Sequence, residues 1–183
     1  MSVETKYQTF WQRFFAGIID GIVLLPIGVL NWVVLSPGRP KWIVLTWGVI
    51  FYASYPLYSI LMHGRNGKTV GKRAMGLVVL DASEQKLPSY RQAFIRDIVL
   101  VISQAILLAN FFRVVLTSGY MRETDSHMGQ FGNIFVWTSE IWFWLEVITM
   151  LTNRKRRALH DWLAGTVVVD EGSVPVQVVE RLS

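Results

Sequence analysis

Asp20 stands in the middle of an apolar run, Phe14 to Leu35, that carries no other charge. A carboxylate at membrane depth costs at least about 2.5 kcal/mol, so such residues face a partner or a water-filled cavity and commonly mark ion or proton paths. Two further carboxylates, Glu140 and Glu146, lie in or beside another apolar stretch, Ile134 to Leu151. Each helix has a basic end, at Arg13 and at Arg154. Counted from those ends at about 1.5 Å per residue, Asp20 and Glu146 reach a similar depth. If they face each other, at least one keeps its proton near neutrality. Asp20, Glu140 and Glu146 are therefore the candidate ion- or proton-binding residues. The competing reading is that either glutamate only hydrogen-bonds a neighbouring helix. Glu140 and Glu146 themselves point about 120° apart.

Arg13 precedes Asp20 by seven residues. The two share a helix face but are separated by about 10 Å along its axis, too far for a direct pair. Asp97 and Asp161 are expected at the same inner boundary as Arg13, and the three form a candidate gate or structural charge cluster. Arg13 to Asp161 is the expected bridge; the alternative is an arginine that snorkels to lipid phosphate. Arg154, Lys155, Arg156 and Arg157 are four consecutive cations at the end of an apolar stretch. They read as a topology signal, and the same charges attract anionic headgroups by about 1 kcal/mol each.

Other strings fall short of chemistry. Gly67-Lys68-Thr69 looks like the end of a phosphate-binding loop, but the glycine required five residues before the Gly-Lys pair is Met62. The glycines and cations of this segment read as a tight basic turn. His160-Asp161 has no second histidine three to five residues away, and His63 and His127 fall in different expected loops, so no metal site is expected. Cysteine is absent, which excludes disulfides and thiolate ligands. No nucleophile–base pair is evident. Neither an enzyme nor a cofactor is expected.

The elements that must position these residues are membrane helices. The chain has 183 residues, 52% of them hydrophobic, and a mean hydropathy of +0.36. That fraction is only slightly above the soluble range, but the clustering is decisive. Four stretches approach or exceed the roughly 18–20 residues needed to span hydrocarbon. The expected spans are 14–35, 42–62, 94–115 and 134–152, with a cytoplasmic loop over 63–93 and a cytoplasmic C-terminal segment over 153–183, all one membrane domain. Ser36-Pro37-Gly38-Arg39-Pro40 ends the first span, and Pro26 and Pro56 are expected to kink the first two. Gly17 and Gly21 flank Asp20 and would let a neighbouring helix approach closely.

A formal net charge of +5 would suggest nucleic acid in a soluble protein. Here it follows topology instead. With both termini in the cytoplasm, only Arg39, Lys41, Arg113 and Arg122 of the eighteen Lys and Arg lie outside. The residues before Phe14 lack a basic cluster followed by a small-residue cleavage site, so the first span is expected to be retained. Leu77–Asp81 and Thr166–Asp170 are short β-branched runs expected to pair beneath the membrane. Ser89 and Gln92 are spaced for a capping box, and Ala158–Ala164 is expected as an interfacial helix closed by Gly165. The fold class is thus an all-α membrane protein of about four transmembrane helices, with a small cytoplasmic two-stranded β element and a C-terminal interfacial helix.

Three segments carry a resemblance across nearly the whole chain. They are Arg13 with Asp20, Gly67-Lys68-Thr69-Val70-Gly71-Lys72-Arg73-Ala74-Met75-Gly76, and Arg157-Ala158-Leu159-His160-Asp161-Trp162-Leu163-Ala164-Gly165. In this order and spacing the chain resembles the RDD family of bacterial membrane proteins, named for one arginine and two aspartates. The arginine matches Arg13, the first aspartate Asp20 and the second Asp161. The resemblance implies an inner-membrane, multi-pass protein from a family suspected of transporting ligands, with a member reported to exchange monovalent cations for protons. The chain departs from simpler members in an expected long outer loop, Thr117 to Asn133, and in the Glu140–Glu146 pair. Two functions are carried forward. One is proton-coupled transport of a small cation or solute, for which a homodimer could form the pathway. The other is a non-transporting scaffold or accessory subunit that binds anionic lipid or a partner membrane protein.

Overall fold

Two long helices open the chain, in a computed structural model that describes residues 5–36, 38–118 and 125–174, with side chains from 5, 118 and 125–136 outside the description. Helix α1 is Phe10–Val34 and α2 is Lys41–Asn66. Both continue unbroken through their prolines, Pro26 and Pro56. A short helix α3, Val70–Ala74, and strand β1, Leu77–Asp81, follow. Next come α4, Tyr90–Arg96, and the long α5, Ile98–Ser118. Then α6, Asp125–Thr152, leads to α7, Leu159–Ala164, and β2, Thr166–Asp170.

Two boundaries differ from expectation. The expected third span begins inside α4, because that helix is a separate unit. Ser89 and Gln92 form the reciprocal capping box at its start, and Asp97 ends it with non-helical backbone. The long helix therefore starts at Ile98. The expected outer loop, Thr117 to Asn133, is largely absent, since 125–133 form the first turns of α6. Gly129 and Gly132 depress helix propensity there. Once the apolar part of the helix is formed, however, each added residue gains one backbone hydrogen bond, and the helix propagates backward through them.

Among the described residues three helices, α1, α2 and α5, are long and apolar enough to cross a membrane. Their apolar side chains point outward: Trp11 is 66% exposed and Trp32 85% exposed. Water would penalise such a surface, whereas hydrocarbon is its natural solvent. The expected fourth span, 134–152, lies within α6, whose first dozen side chains are outside the description.

The two strands pair antiparallel in the register Leu77↔Asp170, Val79↔Val168 and Asp81↔Thr166. A lone two-stranded ribbon is marginal in water, and here both faces are covered. Val78, Leu80, Val167 and Val169 pack with Tyr7, Val174 and Leu87, while Leu77, Val79 and Val168 pack with Met75. The expected β pairing is thus present, and its strands are buried on both faces.

The chain divides into two compact units. One comprises Leu24–Pro56 and Val99–Trp144. In it Trp47 Nε1 donates to Asn31 Oδ1 at 3.0 Å, and the Tyr52 and Phe111 rings meet at 5.8 Å. The other comprises Met1–Val23, Leu57–Ile98 and Leu145–Ser183. It holds the β pair and nearly every charged residue singled out from the sequence.

Candidate functional site

Asp20 is 3% exposed on α1. Its Oδ1 accepts from the Tyr58 hydroxyl and from the Gly71 backbone N–H, both at 2.7 Å. Its Oδ2 accepts from the Thr69 hydroxyl, also at 2.7 Å. The two segments meet because Thr69 caps α3 and Gly71 has no side chain. Thr69 Oγ1 accepts from Lys72 N at 3.3 Å, satisfying one of the orphan donors of that short helix. The space a Cβ on Gly71 would need is filled by the Ala16 carbonyl, with the Asp20 carboxyl carbon 2.9 Å away. Gly17 and Gly21, expected to mediate close packing, instead face open space. The close approach on this side of α1 belongs to Gly71.

Asp161 is fully buried and gathers two arginines. Arg13 Nη1 donates to its Oδ2 at 2.8 Å, the bridge the sequence favours, and Arg96 Nη1 lies 2.7 Å from Oδ1. Thr166 Oγ1 donates to Oδ1 at 3.3 Å, and the Ala158 backbone N–H to Oδ2 at 3.2 Å. Burial alone would raise this carboxyl's pKa. The Arg96 charge first, with the Arg13 charge and hydrogen bond, outweighs it and holds the group well below the usual carboxylate range. Arg13 also donates Nε–H to Thr9 Oγ1 at 3.0 Å. One carboxylate thus ties α1, α4, α7 and β2 together.

Glu146 does not meet Asp20. Its Oε1 is bound to His160 Nδ1, in close hydrogen-bond contact, and His160 Nε2 lies 2.9 Å from Arg96 Nη2. A guanidinium only donates, so Nε2 is the acceptor and the ring proton on Nδ1 points at Glu146. His160 supplies a partner that comparing depths along two helices could not reveal. Glu140 stands exposed on α6. Asp97 is half-buried, and its Oδ2 has no hydrogen-bond partner among the described residues.

A third group was not anticipated. His63, 2% exposed near the end of α2, has Nδ1 3.2 Å from Ser59 Oγ and Nε2 3.0 Å from Lys72 Nζ. Burial and then the Arg96 charge lower Lys72 to about 7, while Asp20 and Asp97 pull it partly back. The basic run at the end of α6 splits in two. Lys155 Nζ donates to Glu84 at 2.6 Å, and Arg157 Nη2 donates to the Asp161 carbonyl at 3.1 Å with its guanidinium over Trp162. Arg154 and Arg156 have no side-chain partner among the described residues.

Sequence reasoning missed Tyr58, Thr69, Gly71, Arg96, His63, Lys72 and His160. The available signal is the crowding of hydroxyl, glycine and cation in Thr69-Val70-Gly71-Lys72, a pattern that a tight basic turn shares. Comparison with known proteins adds a family. The RDD family model matches residues 7–165, a stretch that contains all three polar groups. No curated protein and no solved structure matches the chain.

Proposed function

The chain belongs to the RDD family of membrane proteins, and from that premise we propose that it exchanges a small monovalent cation for protons. The reading rests on one observation: α3 touches a buried carboxylate with Thr69 and Gly71 and a buried histidine with Lys72. Asp20 with the Tyr58 and Thr69 hydroxyls is an oxygen-rich set that suits a hard cation. Lys72, against His63, is lowered to about 7, and the Asp20 charge is one of the influences that keep the proton on Lys72. A cation arriving at Asp20 screens that charge and favours proton release; by linkage, protonation of Lys72 weakens cation binding. Arg13 and Asp161 act as the inner clamp, and Glu146, hydrogen-bonded to His160, as the relay. In this reading both termini and the β pair lie on the cytoplasmic side of the inner membrane, which the distribution of Lys and Arg supports.

A second reading has its own observation. Both Asp20 oxygens already accept hydrogen bonds, so the carboxylate is also a complete structural clamp. That favours a scaffold or accessory subunit, working as a homodimer or with a partner membrane protein. Liposomes containing a pH dye separate the two. Under imposed Na⁺, K⁺ or Li⁺ gradients the parent should move protons, and Asp20→Asn should not. Lys72→Met should pass cation with the pH response lost. Absence of flux from a folded parent would leave the scaffold.

A further inference from the structure

A cavity of about 760 Å³ opens where α6 ends, lined by Tyr7, Gln8, Leu151, Asn153, Arg154 and Arg156, with Thr152 and Lys155 completing the wall. It lies apart from the Asp20 and Lys72 groups. The segment that forms it is held tightly. Asn153 Nδ2 donates to the Thr149 and Arg157 carbonyls, and its Oδ1 accepts from Arg157 N. Glu84 fixes the other side. It accepts from Lys6 at 2.7 Å, from the Tyr7 hydroxyl at 2.8 Å and from Lys155 at 2.6 Å.

Two non-glycine residues among those described have left-handed backbone, Glu84 (φ 62°) and Arg156 (φ 48°), and both belong to this corner. Such backbone is sparsely populated for residues with a side chain and persists only where surrounding structure enforces it. Cations at the end of α6 complement the helix dipole. That does not explain why Lys155 and Arg157 have protein partners while Arg154 and Arg156, with none among the described residues, line a cavity whose wall includes no carboxylate. Two free guanidiniums, the remaining ammonium donors of Lys155 and the Gln8 amide surround polar space; Leu151 and the Tyr7 ring give it an apolar wall. Guanidinium geometry matches phosphate oxygens in pairs.

We propose that this cavity binds a phosphate-bearing anion, offered either by the headgroup of an anionic phospholipid or by phosphate free in solution. The apolar wall and the position at the end of a long apolar helix favour the lipid.

The test uses full-length, delipidated protein in neutral detergent. Phosphatidylglycerol and phosphatidylcholine are titrated and retained lipid is read by native mass spectrometry; inorganic phosphate is titrated by calorimetry. Phosphatidylglycerol should be retained over phosphatidylcholine, and R154Q/R156Q should weaken it by about thirty-fold, roughly five-fold per cation. R156G is the folding control, since glycine suits φ 48°. It should be at least as stable as the parent yet still lose about five-fold in binding. Phosphate binding lost in the same variants, without a lipid preference, would support the free anion. An equal loss in K86Q/R91Q, two exposed cations away from the cavity, or no binding of either probe, would overturn the site.

Discussion

Gly71 donates its backbone N–H to Asp20 Oδ1 at 2.7 Å, across 51 residues, and it can do so only because it has no Cβ, whose place the Ala16 carbonyl occupies. The obstructing atoms are helix backbone and cannot swing away as a side chain would. Gly71→Ala should therefore separate α3 from α1 and cost about 2–3 kcal/mol, the range of an overpacked contact. Gly17→Ala and Gly21→Ala meet open space and should stay within about 0.5 kcal/mol of the parent. Thermal unfolding of the three variants in detergent checks this, and equal losses in all three would contradict it.

Removing Asp161 should be among the most damaging single changes. Its two arginines have side chains only 11% and 5% exposed. Asp161→Ala leaves both charges buried without their counter-ion, for which about 3–5 kcal/mol is expected. Arg13→Met should cost less, because Arg96 still compensates the carboxylate. A double-mutant cycle on Arg13 and Asp161 should give a coupling that 1 M salt leaves largely intact, since buried pairs are poorly screened. A coupling abolished by salt would place the pair in bulk solvent.

Glu84 sets an acid-sensitive step. Burial raises its pKa, but hydrogen bonds from Lys155, Lys6 and Tyr7 outweigh that and bring it from 4.5 down to about 2. A depressed carboxylate contributes stability that is present above its unfolded pKa and is lost as pH falls through the folded one. The expected window is therefore pH 4.5 down to about 2. Glu84→Gln should lower stability at pH 7 and flatten the acid profile there. Melting temperature measured against pH for parent and variant reads both effects.

Much of the architecture was legible because it follows from local pattern. Continuous apolar runs announced the long helices, and two β-branched runs in a polar setting had no other partner than each other. The Arg13–Asp161 bridge was legible because both residues had to sit at one boundary. The environment of Asp20 was not. Thr69 and Gly71 lie 49 and 51 residues away, and the value of a glycine that lacks a Cβ shows only once Ala16 is seen beside it. The Asp20–Glu146 facing failed for a related reason. Depth along a helix says nothing about which neighbour is nearest, and His160 reaches Glu146.

Lys72 makes the proton side of the proposal measurable without any substrate. Its pKa falls from 10.5 to about 7, by burial first and by Arg96 second. Between those values the unfolded chain holds a proton that the folded one has released, so stability rises with pH across the interval. The slope is at most about 1.4 kcal/mol per pH unit. Tyr7, raised from 10.0 to about 12 by burial and by Glu84, opposes this only above pH 10, so the profile is best read below that. Lys72→Met should stabilise the protein at pH 7 and below and abolish the rise. Adding an alkali-metal cation to the parent should release protons near pH 7, and Asp20→Asn should suppress that release. A parent whose stability is flat from pH 7 to 10, with no proton release in any alkali-metal salt, would leave Lys72 as an ordinary surface cation and remove the coupling between it and Asp20.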